Sequence, residues 1–364
     1  MRITAMKMIA VGGFHRAKLI KKVRLKIYQP LFRLFCTNLN SLKAYKVLFY
    51  GTDALSEVTL NALNNNRLSP SPSKVVKSLD IVCIKTDCRV RRYAELHNLT
   101  VHTWPYDVPV GVYDVGIVVS FGHLIPSESI LACKYGIINA HPSLLPRWRG
   151  AAPIFHTILN GDAETGVTIT EVSAKKFDIG KIIMQEKFDV PEECSSKLLT
   201  DELSKIAAKL VLKTLENLPH YLELSYPQPS EGVTYARKIK PELGCINWEH
   251  PVLSIYRKFK AFDGFFEVFT FWKSMKVVVI EITSMNDVVE ANVSKLVCDP
   301  VSPGFCHFHK KRKVLFVKCQ DGWFGITVVK IPKRGKITAL DFYNGFMSKE
   351  IPKNCYFFLN KNPS

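Results

Sequence analysis

Apolar runs alternate with amphipathic segments along the first two thirds of the 364-residue chain. Lys46-Val-Leu-Phe-Tyr-Gly51 is an apolar run that ends at glycine, as expected for a strand buried on both faces. Thr52 and Asp53 are suited to cap a helix over residues 55–63. Further strands are predicted over residues 80–85, 115–120, 136–139, 166–172 and 181–188, and helices over 90–97, 152–159 and 197–217. This alternation predicts a doubly wound, mostly parallel α/β sheet.

The pattern changes beyond about residue 233. Prolines and a glycine end the helical pattern, and short β-rich runs follow over residues 265–272, 276–282, 314–319 and 325–331. Short strands separated by Gly and Pro are typical of a small β-barrel, here of the OB-like kind. We therefore predict four parts: an N-terminal arm over residues 1–44, an α/β domain over 45–224, a linker over 225–232, and a barrel domain over 233–364.

The net charge of +18 is unevenly distributed. Residues 1–52 contain eleven Lys or Arg and no Asp or Glu, whereas residues 53–230 contain 18 basic and 20 acidic side chains. Residues 231–364 contain 21 basic and 12 acidic side chains, so the barrel domain is basic. An acid-free, basic arm with interspersed apolar residues is typical of a mitochondrial transit peptide and predicts the mitochondrial matrix. The alternative is a basic arm that binds nucleic acid.

Neither a membrane span nor a metal site is predicted. No run reaches the roughly 18 apolar residues that a membrane helix needs. The ten cysteines form no C-x-x-C pair and have no zinc-finger spacing, so we expect reduced thiols and no metal. We also expect a monomer.

Polar side chains follow the predicted strand over residues 136–139. Asn139 and His141 are two residues apart, so an extended backbone directs both side chains to one side. An amide donor beside an imidazole is suited to stabilise a developing oxyanion. Asp178 precedes the next strand and can orient the imidazole. Taken singly, each of these residues is more often part of a turn or a satisfied polar pair.

The surrounding sequence is more specific. Asn139-Ala-His-Pro-Ser-Leu-Leu-Pro-Arg-Trp-Arg-Gly-Ala-Ala-Pro153 is followed by Gly161-Asp-Ala-Glu-Thr-Gly-Val-Thr168 and by Phe177-Asp-Ile-Gly180. In order and spacing, these segments resemble the folate-dependent formyltransferase family. The resemblance implies a formyltransferase-like variant of the Rossmann fold, with 10-formyltetrahydrofolate as formyl donor and an amine as acceptor. It implies that Asn139 and protonated His141 stabilise the oxyanion. It also implies that Asp178 sets the charge of the histidine and accepts or relays the proton of the amine. It further implies folate contacts from Ser143, Leu144, Leu145 and Pro146.

The family formylates several amines, and the catalytic residues do not distinguish them. Thr234-Tyr-Ala-Arg-Lys-Ile239, Ile246-Asn-Trp248 and residues 255–262 resemble the C-terminal domain of methionyl-tRNA formyltransferases, and residues 337–345 resemble the animal mitochondrial members. The likeness runs from about Lys46 to Met347 and implies methionyl-tRNA as acceptor. Alternatives are a 10-formyltetrahydrofolate hydrolase, an amino-sugar formyltransferase and a catalytically idle RNA-binding protein.

Basic side chains in three places are candidate tRNA contacts, because guanidinium and ammonium groups bind phosphates. A solvated surface is the alternative for each group. Bacterial members carry a long basic loop after the second strand, and the equivalent segment is much shorter here. The candidates are Arg147 and Arg149 beside the site, Arg89, Arg91 and Arg92 after the second strand, and Lys310, Lys311, Arg312 and Lys313 on a predicted turn of the barrel.

Overall fold

A computed structural model describes residues 44–297 and 300–359. The predicted transit peptide, apart from Ala44, lies outside the described residues. The chain forms an α/β domain followed by an antiparallel β domain. Among the described residues, no helix combines the length and the apolar composition that a membrane crossing demands.

The N-terminal domain contains seven strands and six helices among its described residues. The strands are β1 (Tyr45–Gly51), β2 (Val76–Cys83), β3 (Val101–Thr103), β4 (Val115–Val119), β5 (Ile137–His141), β6 (Glu164–Glu171) and β7 (Ile182–Asp189). The helices are α1 (Ala54–Leu68), α2 (Arg89–Leu96), α3 (Ser127–Ala132), α4 (Pro153–Asn160), α5 (Ser196–Glu216) and α6 (Leu218–Glu223).

The seven strands form one sheet in the order β3-β2-β1-β4-β5-β6-β7. The first five strands in this order are mutually parallel, whereas β6 runs antiparallel to β5 and β7 runs antiparallel to β6. This confirms the predicted doubly wound, mostly parallel sheet. The order reverses between β1 and β4, and in such sheets ligands bind at the carboxyl ends of the strands beside that reversal.

Helix α1 is longer than its sequence pattern indicates. Residues 64–73 are rich in Asn, Ser and Pro and favour a loop, but the helix continues to Leu68. Asn64 is buried, and its side chain accepts from Arg67 and donates to the hydroxyl of Tyr93 on α2. These contacts compensate for the poor helix propensity of asparagine.

The C-terminal domain is an antiparallel sheet that closes on itself. Its strands are β8 (Val268–Trp272), β9 (Met275–Ile282), β10 (Cys306–His309), β11 (Val314–Lys318), β12 (Trp323–Ile331), β13 (Gly335–Thr338) and β14 (Phe357–Phe358), in the order β10-β11-β12-β9-β8-β14 with β13 on β12. Backbone hydrogen bonds of 2.8 Å from Cys306 N to Cys355 O and from Phe357 N to Gly304 O join the two ends of this order. The predicted small barrel is therefore confirmed.

Short helical segments accompany the barrel. They are a 3₁₀ turn (Pro241–Gly244), α7 (Val252–Phe262), α8 (Met285–Ala291), α9 (Val293–Leu296), α10 (Ala339–Phe342), a π turn (Tyr343–Met347) and a second 3₁₀ turn (Pro352–Asn354). Helix α7 packs on α4, where the ring of Phe155 contacts Phe262, Phe265 and Phe266. The two domains thus share one apolar core.

A connecting segment (residues 225–236) crosses the surface of the N-terminal domain before the barrel begins. Tyr226 exchanges two backbone hydrogen bonds with Ile182 of β7. Arg149 donates its backbone N–H to Thr234 O at 2.9 Å and accepts at its carbonyl from Ala236 N at 2.8 Å. This segment includes the predicted linker (residues 225–232) and the start of the predicted barrel domain. The predicted domain boundaries stay predictions.

Candidate active site

A cavity of about 350 Å³ opens at the carboxyl ends of β1, β4 and β5. It lies at the reversal of strand order, where a doubly wound sheet binds its ligands. Its walls are formed by Thr52 and Asp53 after β1, residues 120–125 after β4, residues 139–142, 150, 151 and 153, residues 170–173, and residues 176–178. The three residues predicted to be catalytic, Asn139, His141 and Asp178, all line it.

Strand β5 directs Asn139 and His141 into this cavity. The sequence pattern ends the strand at residue 139, but the structure extends it through His141, which pairs with Thr168 of β6. Extended backbone through both residues places their side chains on one side of the sheet. His141 is buried and Asn139 is half-buried, so the ring and the amide are held in a largely dry setting.

Asp178 lies on the loop between β6 and β7 and meets both side chains. Asn139 Nδ2 donates to Asp178 Oδ1 at 3.2 Å, and His141 Nδ1 lies 3.5 Å from the same oxygen. The other ring nitrogen, Nε2, is 2.9 Å from the carbonyl oxygen of Trp148. Both ring nitrogens therefore face oxygen acceptors, and an imidazole N–H can donate on either side.

Asp178 is fixed by two further contacts. Its Oδ2 accepts the backbone N–H of Gly150 at 2.8 Å, and its backbone carbonyl accepts from Gln228 Nε2 at 2.8 Å. The backbone of Asp178 is left-handed, with φ at 55°. Such a conformation is uncommon for a residue other than glycine, although aspartate tolerates it better than most. The carboxylate direction therefore depends on contacts from outside its own loop.

The predicted folate-contacting residues support the loop that follows β5. Ser143 is fully buried and its hydroxyl donates to Arg147 O, while Leu145 N donates to Thr168 Oγ1 at 3.1 Å. Gln185 Nε2 donates to Leu145 O at 2.9 Å. None of Ser143, Leu144, Leu145 and Pro146 lines the cavity. Their predicted contact with folate stays a prediction, and the contacts in the structure give them a role in shaping the loop.

Arg147 is bound to a carboxylate within the protein. Its guanidinium makes a two-pronged ion pair with Asp162, at 2.8 and 2.6 Å, and lies over the ring of Trp148. The indole Nε1 also donates to Asp162, at 2.7 Å. Burial alone would raise the pKa of the Asp162 carboxyl, but hydrogen bonds from Arg147, Trp148 and Asn160 outweigh it and lower that pKa. Asp162 is thus held as an anion, and much of the charge of Arg147 is already compensated.

Arg149 is also engaged. Its Nε and one terminal nitrogen donate to Gln228 Oε1 at 2.9 and 2.7 Å. Unlike Arg147, it faces a neutral amide, so its charge has no anionic partner in this contact. The prediction that Arg147 and Arg149 contact tRNA stays a prediction.

Arg89, Arg91 and Arg92, which are also predicted to contact tRNA, lie on α2. Arg89 and Arg92 pair with Glu57 and Asp87 at 3.3 and 3.2 Å, and both are largely exposed. Arg91 is mostly covered and donates to Ile84 O at 3.0 Å, which indicates a structural role.

The basic turn between β10 and β11 carries Lys310, Lys311, Arg312 and Lys313, all exposed. Arg312 lies 3.5 Å from Glu290, whereas no ion pair is found for the three lysines within residues 44–297 and 300–359. The predicted turn is confirmed, and the tRNA contacts of its side chains stay a prediction.

The sequence pattern did not identify several residues that line the cavity. Ser120 Oγ donates to Asp53 Oδ2 at 2.6 Å, and Thr52 Oγ1 donates to Ser120 O at 2.9 Å, so the loops after β1 and β4 are joined. The next residues, Phe121 to Ile125, form one wall. Their position directly after a predicted buried strand was an available signal, because carboxyl ends of parallel strands meet at one edge of the sheet.

A metal site is not found among the residues that the structure describes: they contain no group of three or more His, Cys, Asp or Glu that could hold an ion. The polar side chains at the cavity include the amide, the imidazole and the carboxylate described above.

Two family models match the chain. Residues 111–215 match the formyl transferase domain, and residues 238–347 match the formyl transferase C-terminal domain. The site therefore belongs to a formyl transferase, and the order of the two domains agrees with the sequence-based prediction.

Curated relatives are more specific. The chain is 40% identical over 317 residues to a mouse protein named methionyl-tRNA formyltransferase, mitochondrial, covering 86% of this chain and 81% of the relative. It is 39% identical over 315 residues to the human protein of the same name, with 85% and 80% coverage. The chain belongs to the methionyl-tRNA formyltransferase family. The names of both relatives agree with the predicted mitochondrial localisation.

A solved structure shares the fold. An N-formyltransferase from Helicobacter canadensis, determined with folinic acid and dTDP-3-aminofucose, is similar with a TM-score of 0.54 and 16% identity over 77% of this chain and 98% of that chain. At this identity the likeness supports the fold alone. That neighbour binds a folate derivative.

Replacing Gly150 tests how far the predicted catalytic residues depend on the backbone of the loop after β5. Gly150 has φ at 121°, and an added Cβ would lie 2.7 Å from Ala236 O. In Gly150→Ala the N–H that binds Asp178 must therefore move, and we expect kcat for formyl transfer to fall roughly 100-fold. The measurement is steady-state kinetics with saturating substrates.

Gly232→Ala is the matched control. Gly232 also has positive φ, at 76°, but an added Cβ there meets nothing within 4 Å. The Gly232→Ala variant therefore has the backbone strain of an alanine at positive φ but no steric clash of its Cβ. Equal kcat values for the two variants would show that the close approach of Gly150 to Ala236 is unimportant to catalysis.

Proposed function

We propose that this protein transfers the formyl group of 10-formyltetrahydrofolate to the α-amino group of methionyl-tRNA in mitochondria. The observation that carries the proposal is the convergence of Asn139, His141 and Asp178 on one cavity, with Asp178 Oδ1 within 3.2 Å of the amide and 3.5 Å of the ring. The named relatives supply the acceptor and the compartment.

The reaction needs oxyanion stabilisation and removal of one proton. The amine nitrogen attacks the formyl carbon, and its electron pair forms the new C–N bond while the carbonyl oxygen gains negative charge. Asn139 has a second amide N–H beyond the one directed at Asp178, and this second donor can meet that oxygen. Removing one such donor typically costs about 2.7–4 kcal/mol in transition-state stabilisation. Collapse then breaks the bond to the folate nitrogen, which departs with a proton.

His141 supplies a second donor. Its Nδ1 lies 3.5 Å from Asp178 Oδ1, which is longer than the 2.7–3.2 Å of an ordinary N–H···O hydrogen bond. The Nδ1 donor therefore makes no ordinary hydrogen bond to Asp178 and can donate to the oxyanion of the substrate. The carboxylate opposite it stabilises positive charge on the ring, and a cationic donor makes a stronger hydrogen bond to an oxyanion than a neutral one does.

Asp178 is suited to accept the proton of the amine. A carboxylate has about four acceptor positions. The structure shows two of them in hydrogen bonds, from Asn139 and from Gly150. The substrate α-amino group has a reference pKa of about 7.7–8.0, so a substantial part of it is free base near neutral pH. The protein therefore has to position the amine and remove a proton as the C–N bond forms.

The basic barrel supports a polyphosphate acceptor. Residues 231–364 contain 21 basic and 12 acidic side chains, whereas residues 53–230 contain 18 and 20. A cationic domain joined to a near-neutral catalytic domain is suited to attract and orient nucleic acid. A small amine acceptor has no need of such a domain.

A panel of acceptors tests this function. We expect methionyl-tRNA to be formylated from 10-formyltetrahydrofolate with a higher kcat/KM than glycinamide ribonucleotide, an amino sugar nucleotide or water. Product formation and free formate are measured in parallel. A higher kcat/KM for glycinamide ribonucleotide or the amino sugar nucleotide, or release of formate without transfer, would overturn the proposal.

Removing the three lysines of the basic turn tests the role of the barrel. In Lys310→Ala/Lys311→Ala/Lys313→Ala we expect a higher KM for methionyl-tRNA, an unchanged KM for the folate donor, and a shallower dependence of log KM on log salt. If all three lysines contact phosphates, the slope should fall by about 2 to 3.

The control removes the same charge elsewhere. Lys197, Lys205 and Lys209 lie on α5, and replacing them with alanine lowers the net charge by an equal amount. An equal rise in KM for both triple variants would mean that total charge matters and that the turn makes no specific contact.

A further inference from the structure

Gln228 of the connecting segment bridges two parts of the active site. Its Nε2 donates to two backbone carbonyls, Asp178 O and Gly180 O, each at 2.8 Å. Its Oε1 accepts from two nitrogens of Arg149, at 2.9 and 2.7 Å. All four hydrogen bonds of this one amide therefore go to the Asp178 loop and to Arg149, which directly precedes the cavity residue Gly150. The side chain of Gln228 is half-buried, so these hydrogen bonds are partly shielded from solvent.

The loop that Gln228 contacts needs outside support. Asp178 is held in a left-handed backbone conformation, which persists only where the surroundings fix it. On the other side of the loop, Gly180 lies so close to Glu171 that an added Cβ would overlap the Glu171 carbonyl. The peptide from Asp178 to Gly180 is thus enclosed between Gln228 and the end of β6. Its freedom to turn, and with it the direction of the Asp178 carboxylate, is limited from both faces.

Arg149 fixes Gln228 in turn. A guanidinium that donates twice to one oxygen restrains that oxygen in its own plane. The backbone of Arg149 is itself paired with Thr234 and Ala236. Its neighbour Gly150 supplies the N–H that binds the Asp178 carboxylate. Arg149 therefore acts on both ends of Asp178, through Gln228 on the backbone and through Gly150 on the side chain.

We infer that Gln228 and Arg149 are positioning residues that hold Asp178 in its reactive orientation, and that the connecting segment contributes to the active site through Gln228. The inference rests on the proposed formyl transfer. It assigns Arg149 a role other than the phosphate contact predicted from sequence. The two roles differ in what they change: a phosphate contact acts on KM for tRNA, whereas positioning acts on kcat.

Two substitutions of Gln228 separate its contacts. Gln228→Met keeps the length and removes all four hydrogen bonds. Gln228→Glu keeps an acceptor for Arg149 but presents an anion to two carbonyl oxygens. We expect both to lower kcat roughly 10- to 100-fold, with KM for each substrate changed less than about threefold, because misplacing a reacting group by about 1 Å costs on that order. Arg149→Lys retains the charge but loses the planar fork, so it should lower kcat in the same way.

Controls keep the result interpretable. Ser230→Ala alters an exposed residue of the same segment and should match the parent in kcat and KM. In an Asp178→Asn background, Gln228→Met should add less than about twofold, since the two residues act on the same step. Thermal unfolding identifies any variant that fails to fold, and Arg149→Lys then carries the test.

Three results with Gln228→Met would each overturn the inference. They are an unchanged kcat in Gln228→Met, a loss confined to KM for tRNA, and a full additive loss in the Asp178→Asn background. If Gln228→Glu retained the kcat of the parent, Gln228 would serve only to anchor Arg149. That result would exclude direct support of Asp178 by Gln228 and would likewise overturn the inference. If the parent enzyme itself fails to formylate methionyl-tRNA, the proposed function fails, and that outcome is distinct from all of these.

Discussion

The carboxylate of Asp178 accepts from Asn139 on β5 and from the Gly150 N–H on the loop after β5, and it faces the His141 ring. Its side chain is only 10% exposed. A carboxylate that is largely removed from water is costly unless donors surround it. The elements around it meet this requirement: β5 brings the Asn139 donor and the His141 ring, the loop after β5 brings the Gly150 N–H, and Gln228 binds the backbone carbonyl of Asp178. Loss of any one donor leaves a buried charge less well compensated and its direction less well defined.

The need to hold Asp178 in position accounts for the contacts that link the two domains near the site. The connecting segment pairs with β7 at Tyr226, reaches the Asp178 loop at Gln228 and pairs with the loop after β5 at Thr234 and Ala236. Only then does the chain enter the barrel, whose helix α7 packs on α4 beside the same loop. The barrel is therefore joined to β7 and to the loop after β5 by backbone hydrogen bonds of the connecting segment as well as by an apolar interface. The basic domain is in this way fixed relative to Asn139, His141 and Asp178, the residues that we propose act on the amine of the acceptor.

The sequence predicted the parts of the site that depend on local pattern. Asn139 and His141 follow from a buried strand with polar residues at its end, and Asp178 from the spacing of family segments. Gln228 could not be found, because a glutamine between two prolines carries no signal until the fold brings it to Asp178. The ion pair of Arg147 with Asp162 was missed for the same reason, since nothing in the spacing shows that the two meet. The continuation of α1 to Leu68 likewise depends on Tyr93 of a neighbouring helix.

The most direct measurement of the account is the single-turnover rate of formyl transfer in Asp178→Asn, with folate and tRNA binding measured on the same protein. Asparagine keeps the size of the side chain but has one acceptor oxygen in place of two and no charge, so it cannot serve Asn139, Gly150, the imidazolium and the amine proton together. We expect both ligands to bind within a few-fold of the parent and the rate of transfer to fall by at least roughly 100-fold. A rate close to that of the parent, with both ligands bound, would contradict the central role of this carboxylate.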